Sequence, residues 1–243
     1  MDQAKIKQSD VEQAPEVGVL DFSSIIASAV HDMKNSLSML LYSVDEIRTT
    51  CGPSSCESAS KFSQLRYEGQ RVNNHLIQLL AIYRIDHANY KPNIEEHNVE
   101  EFLLESAAVH ESLLTPKGIS VNANCDPNLM GFFDRELVSG VVNNVVNNAY
   151  RYSKDKISLL AESDPEGRLI IHIDDNGNGY PKQMLCNTTN TSTHINFGTG
   201  STGLGLYFSA MVAAAHKNKK QCGFIRCSNE GIDGGGRFSI CLP

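Results

Sequence analysis

From Leu20 to about Thr50 the apolar residues Phe22, Ile26, Ala29, Met33, Leu37, Leu40, Val44 and Ile47 recur at steps of three and four, with no Gly or Pro inside. That spacing predicts one long amphipathic helix. CGPSSCES then supplies breakers, after which Phe62, Leu65, Val72, Leu76, Leu79 and Tyr83 repeat the stepping. Two long helices joined by a short turn form an antiparallel hairpin, and a hairpin with a continuous apolar stripe buries it by pairing with a second copy in a four-helix bundle. The pattern therefore predicts a homodimer through residues 20–89.

Beyond Lys91-Pro92 the elements become shorter and mixed. Helices are expected over Val99–Leu114, Asp134 to about Tyr152, and Leu204–Ala215. Strands are expected at Ile119–Ala123, Lys156–Ala161, Leu169–Ile173, Gly223–Cys227 and Phe238–Leu242. Pro181–Gly200, rich in Thr and Asn, has no periodicity and is expected to be a mobile loop. The chain divides into a flexible tail (1–18), a helical hairpin (19–90) and an α/β sandwich with mixed or antiparallel strands (91–243).

A chain of 243 residues with 41% apolar content suits two units that each bury a core. The net charge of -7 argues against nucleic acid as a partner, because phosphate-backbone affinity comes from clustered Lys and Arg. Seven cysteines without a Cys-x-x-Cys pair fit reduced thiols, and no apolar run is long enough for a signal peptide or a bilayer span. A cytoplasmic location without membrane contact is expected.

At about 100° per residue, His31 lies about 160° from the mean direction of the first apolar stripe, so its imidazole faces water. Asp32 is adjacent and Asn35 falls one turn on, giving an exposed polar cluster that by itself also fits plain solvation. In VVNNVVNNAYRYS, Asn144 and Asn148 stand one turn apart on one helix face, where two amide oxygens can reach a Mg²⁺ ion and its phosphate-bound waters. Asn is a poor helix former, so four of them within six residues point to function.

After the strand LIIHI, Asp175, Gly177 and Gly179 form Asp-x-Gly-x-Gly: a carboxylate able to accept from an adenine amino group, with glycines allowing close backbone approach. The same residues also suit an ordinary turn. GTGSTGLGLYFSAMVAAA opens a helix whose free N–H groups can cradle phosphates, with Gly200, Gly203, Leu204 and Gly205 at the contact. Gly198, Gly200 and Gly203 also match Gly-x-Gly-x-x-Gly, but neither a preceding buried strand nor a βαβ unit surrounds them.

HDMKNSL, NNVVNNAYRY, DDNGNG and GSTGLGL, in that order, resemble the phospho-acceptor, Asn and two Gly boxes of the bacterial two-component sensor histidine kinases. The pocket motifs alone also resemble the wider GHKL ATPases. The resemblance implies an ATP- and Mg²⁺-dependent autokinase with a Bergerat-type ATP-binding domain. In it His31 is the phospho-accepting nucleophile, Asp32 fixes its tautomer, and Asn35 orients water for dephosphorylating a response-regulator aspartate. Asn148 is the principal Mg²⁺ ligand with Asn144 beside it, Tyr152 lines the adenine, and Asp175 recognises it.

The implied partner is a response-regulator receiver domain. With fewer than about 20 residues before the first helix, the signal is expected from a separate sensor protein or a small ligand. The sequence departs from the pattern at Ser36, where the acceptor box has Pro, at Gly236, where a Thr is common, and in lacking a recognisable phenylalanine box. A histidine phosphotransferase with a non-catalytic ATPase-like domain, and a GHKL ATPase or serine kinase in which His31 is incidental, are the alternative readings. Cys51 and Cys56 flank the hairpin turn, where a redox role is an alternative to none.

Overall fold

A computed structural model describes residues 30, 32–35, 37–44, 47, 56–87, 91–185, 187–188 and 204–243. The expectations for the tail, the hairpin turn with Cys51, His31, Ser36, most of the Pro181–Gly200 loop, and Gly200 and Gly203 lie outside the described residues.

The described residues at 30, 32–35, 37–44 and 47 are helical and are called α1; α2 is Cys56–His87. Leu41 of α1 lies against Gly69 of α2, where an added Cβ would stand 2.5 Å from the leucine side chain. Each helix shows a seven-residue row, Met33, Leu40 and Ile47 on one and Leu65, Val72 and Leu79 on the other, whose members are 45–51% exposed in the single chain. No described helix is long and apolar enough to cross a membrane.

The remainder is an α/β domain. In chain order it runs β1 (Glu95–Asn98), α3 (Val99–Leu114), β2 (Ser120–Asn124), β3 (Met130–Phe133), α4 (Arg135–Tyr152), β4 (Lys156–Ser163), β5 (Leu169–Asp175), β6 (Asn187–Thr188), α5 (Leu204–Ala215), β7 (Lys217–Asn218), β8 (Gln221–Cys222), β9 (Phe224–Ser228) and β10 (Arg237–Leu242). The main sheet has the order β2-β4-β5-β10-β9-β6. Among the described residues only β2 and β4 pair in parallel, their connection carrying β3 and α4.

Alternation along the strands puts one face into the core. Ile171 pairs with Ile240 and Ile173 with Phe238, and these pack with Val138, Val142 and Val145 of α4, Phe102 of α3 and Phe208 of α5. The intervening pairs are polar. Arg237 grips Asp174 with two hydrogen bonds of 2.8 and 2.6 Å, and His172 Nδ1 lies 2.7 Å from Ser239 Oγ.

The three helices expected in this domain are present, Val99–Leu114 and Leu204–Ala215 with the expected ends, and the five expected strands are present with ends shifted by one or two residues. The β1–β3 ladder and the β7–β8 pair were not anticipated, because Glu95–Asn98 and the lysine-rich hairpin carry no apolar alternation. The start of the expected loop is ordered instead as a 3-10 turn at Lys182–Met184 followed by β6 on the sheet edge. Cys227 is buried on β9 and Cys222 is exposed on β8.

The start of α4 is locked to the end of α5. Asp134 caps α4, its carboxylate accepting from Leu137 N–H (3.0 Å) and Asn93 N–H (2.9 Å). Its own N–H donates to His216 Nε2 at 3.0 Å, and His216 Nδ1 donates to the Val212 carbonyl at 2.8 Å. Both ring nitrogens are thus committed to the neutral imidazole, and burial pushes its pKa below the ordinary value of 6.5 despite opposing contributions from Val212 and Asp134. A depressed histidine pKa means the unfolded chain binds the extra proton first, so stability is complete above pH 6.5 and falls as pH drops towards the folded-state value. His110, also buried with a lowered pKa, adds in the same direction. The urea midpoint should fall between pH 7.5 and 5.5, and the fall should be smaller in His216→Gln; an equal fall in the two proteins would contradict this assignment.

Candidate nucleotide site

β5, an interior strand, ends at Asp175, and the next residue ties that strand end to α4. The Asn176 carboxamide oxygen accepts from the backbone N–H groups of Lys154, Asp155 and Lys156, each at 3.1 Å, and its nitrogen donates to Asp155 Oδ1 at 2.6 Å. The turn after α4 is therefore bolted to the end of β5. Gly177 then passes against the Tyr152 carbonyl so closely that a Cβ there would collide with it.

Asp175 is half-buried. Its Oδ1 accepts from Gly177 N–H at 2.7 Å and, more weakly, from Gly236 N–H at 3.4 Å. Its Oδ2 carries no hydrogen bond among the described residues, and a Cβ at Gly236 would stand 2.7 Å from it. One carboxylate oxygen is thus pinned and the other is left open beside glycine, which suits acceptance from an amino group on a flat ring. Gly179 has φ +73° and packs on Asn229, whose carboxamide brackets Tyr180 by accepting from its N–H (2.6 Å) and donating to its carbonyl (3.1 Å). The Tyr180 ring lies next to Gly236, and burial first, then Cys227, Asp175 and Asp174, hold its hydroxyl protonated.

The asparagine tract on α4 divides among three surroundings. Asn143 Oδ1 lies 2.8 Å from Nε2 of the buried His110. Asn144 is buried, its Oδ1 accepting from Gln78 Nε2 of α2 at 3.0 Å and its Nδ2 lying 3.5 Å from Ser209 Oγ of α5. Gly205, in the first turn of α5, has no room for a Cβ because the Asn144 carboxamide occupies that space. Asn148, one turn on, is exposed and is the member of the expected pair open to an ion. Tyr152 is 58% exposed with the Arg151 guanidinium 5.7 Å from its ring centre.

Leu204 and Gly205 are half-buried at the start of α5, adjoining Asn144. On α1, Asp32 and Asn35 are exposed, as the helix geometry requires. Among the described residues no cluster of His, Cys, Asp and Glu is arranged to hold a metal.

The family model of histidine kinase-, DNA gyrase B- and HSP90-like ATPases matches residues 133–243, the stretch that contains α4, the Asp175 corner and α5. Over most of the chain the relatives are sensor kinases. The sensor histidine kinase GraS of Staphylococcus haemolyticus is 22% identical over 83% of this chain and 56% of its own length. The sensor protein BceS of Halalkalibacterium halodurans is 25% identical over 76% of this chain and 53% of its own length. The chain is thus similar to sensor histidine kinases over most of its length, and residues 133–243 match the ATPase family model.

The chain spans about half the length of these two curated sensor kinases. Two histidine kinase structures share its fold. Full-length ShkA, solved in complex with AMPPNP, superposes with a TM-score of 0.60 at 19% identity over 91% of this chain and 46% of its own. The Acinetobacter baumannii kinase AdeS gives 0.56 at 19% identity over 87% of this chain and 96% of its own.

Three residues that shape this site were not singled out from the sequence: Asn176, Asn229 and Gln78. Asn176 was legible only as turn chemistry, and the other two act on partners more than 40 residues away. Replacing Asn176 by Ala leaves three backbone N–H groups without their acceptor and should cost about 2 kcal/mol or more of unfolding free energy. Denaturant titration checks this, and a loss within experimental scatter would mean that the turn after α4 is held by other contacts.

Proposed function

We propose that this chain is the core of an ATP-dependent histidine autokinase that phosphorylates His31 and passes the phosphoryl group to an aspartate of a response-regulator receiver domain. The observation that carries the nucleotide part is Asp175: one oxygen held by backbone N–H groups, the other open beside the clearance at Gly236. In this reading Asp175 Oδ2 accepts from the adenine amino group, and Tyr152 flanks the base. The glycine-rich approach to α5, with Leu204 and Gly205, receives the phosphates at a helix N-terminus. Mg²⁺ supplies charge neutralisation of the phosphates when bound, with Asn148 as the exposed ligand.

The chemical step requires a neutral imidazole. A ring nitrogen of His31 attacks the γ-phosphorus, the bond to the β-phosphate bridging oxygen breaks, and ADP leaves with that electron pair. Asp32 hydrogen-bonds the other ring nitrogen, fixing the tautomer and stabilising the positive charge that develops. Asn35 would orient water for the reverse regulation, hydrolysis of the receiver's phosphoaspartate.

A homodimer belongs to the same reading. The seven-residue rows of α1 and α2 are the repeat of a helical bundle seam, and a second hairpin would cover them in a four-helix bundle. A cytoplasmic location and the receiver partner complete the proposal.

Incubation of the wild-type chain and His31→Gln with γ-labelled ATP and Mg²⁺ should give an alkali-stable, acid-labile label in the wild type alone. Acid-stable label persisting in the variant would point to a serine kinase. No label together with no ATP binding would favour the phosphotransferase reading.

A further inference from the structure

We infer that Gln78 of α2 is a positioning residue of the nucleotide site, holding the Asn144 side chain away from the cation while α2 is docked on the α/β domain. The inference rests on the reading of this cleft as an ATP site.

α2 does not pass the domain at a distance. Ala81, Ile82 and Ile85 pack against the domain core, and Tyr67 stacks on Tyr150 of α4 with ring centres 4.6 Å apart. Gln78 lies on the same side, one turn before Ala81 and Ile82, and is only 3% exposed. Its amide donates to the Asn144 oxygen, the atom that a cation shared with Asn148 would need. Gly205 lies against that oxygen on the α5 side.

A second observation marks the contact as incomplete. Gln78 Oε1 is buried without a hydrogen-bond partner, and the other such side-chain atom among the described residues, Asn73 Oδ1, lies on the same helix. A buried carboxamide with half of its capacity unmet weakens the docked state relative to one in which water or a ligand supplies the missing donor. Docking is therefore poised for release. The chain of contacts from Gln78 to Asn144, Ser209 and the Gly205 carbonyl links α2 to the first turn of α5. Movement of the hairpin and cation loading at Asn144 are then opposed, and each shifts the other by the same factor.

The test is titration of the full chain with AMPPNP, with and without Mg²⁺, comparing wild type with Gln78→Ala. The variant should bind AMPPNP about five-fold more tightly in the presence of Mg²⁺, the scale of one released hydrogen bond, and unchanged in its absence. Gln78→Asn, which keeps an amide but shortens its reach, serves as the second variant should Ala impair folding, and should behave alike. Unchanged or weaker Mg²⁺-dependent binding, or equal tightening with and without Mg²⁺, overturns the inference. Failure of all proteins to bind AMPPNP under either condition overturns the nucleotide reading itself and this inference with it.

Discussion

The carboxamide of Asn176 is where the parts of this molecule are joined. By accepting from three consecutive N–H groups after α4, it fixes the end of that helix against the end of β5. Two elements distant in sequence then meet at a single corner, where the Tyr152 carbonyl touches Gly177 and the Asp175 carboxylate is aimed across the glycines of the β9–β10 connection. Without that join, Asp175 would be a surface acid at a strand end, and the asparagines of α4 would have no fixed relation to it.

Electrostatics around the corner follow from what is pinned and what is open. Asp174 points to the outer face of the sheet and is consumed by Arg237, whereas its neighbour Asp175 spends one oxygen on backbone N–H groups and keeps the other. Strand alternation separates these two adjacent carboxylates into one paired with an arginine and one that keeps an open oxygen. His216 performs a purely architectural task by the same logic, with both nitrogens committed to backbone partners.

Much of the architecture was readable beforehand because helices with a sustained apolar face, such as Val99–Leu114, and strands buried on alternate residues, such as LIIHI, carry their own periodicity. At the Asp175 corner the sequence was legible as a glycine turn beside an acid at a strand end, while the division of that carboxylate into one pinned and one open oxygen emerged only from packing. What escaped depends on distance. Glu95–Asn98 becomes a strand only because Met130–Phe133 lies beside it. The asparagine tract looked like one functional row, yet Asn143 serves His110 and Asn144 serves Gln78, partners 33 and 66 residues away. Composition signals that such residues are special; only packing assigns each one its task.

The central claim is that the open oxygen of Asp175 reads an adenine. Calorimetric titration with ADP and Mg²⁺ of the wild-type chain and of Asp175→Asn tests it most directly, since the substitution preserves shape while replacing an acceptor-only carboxylate with an amide. The account predicts clear binding by the wild type and at least about ten-fold weaker binding by the variant, in keeping with a lost charge-assisted hydrogen bond. Equal affinities in the two proteins would contradict it.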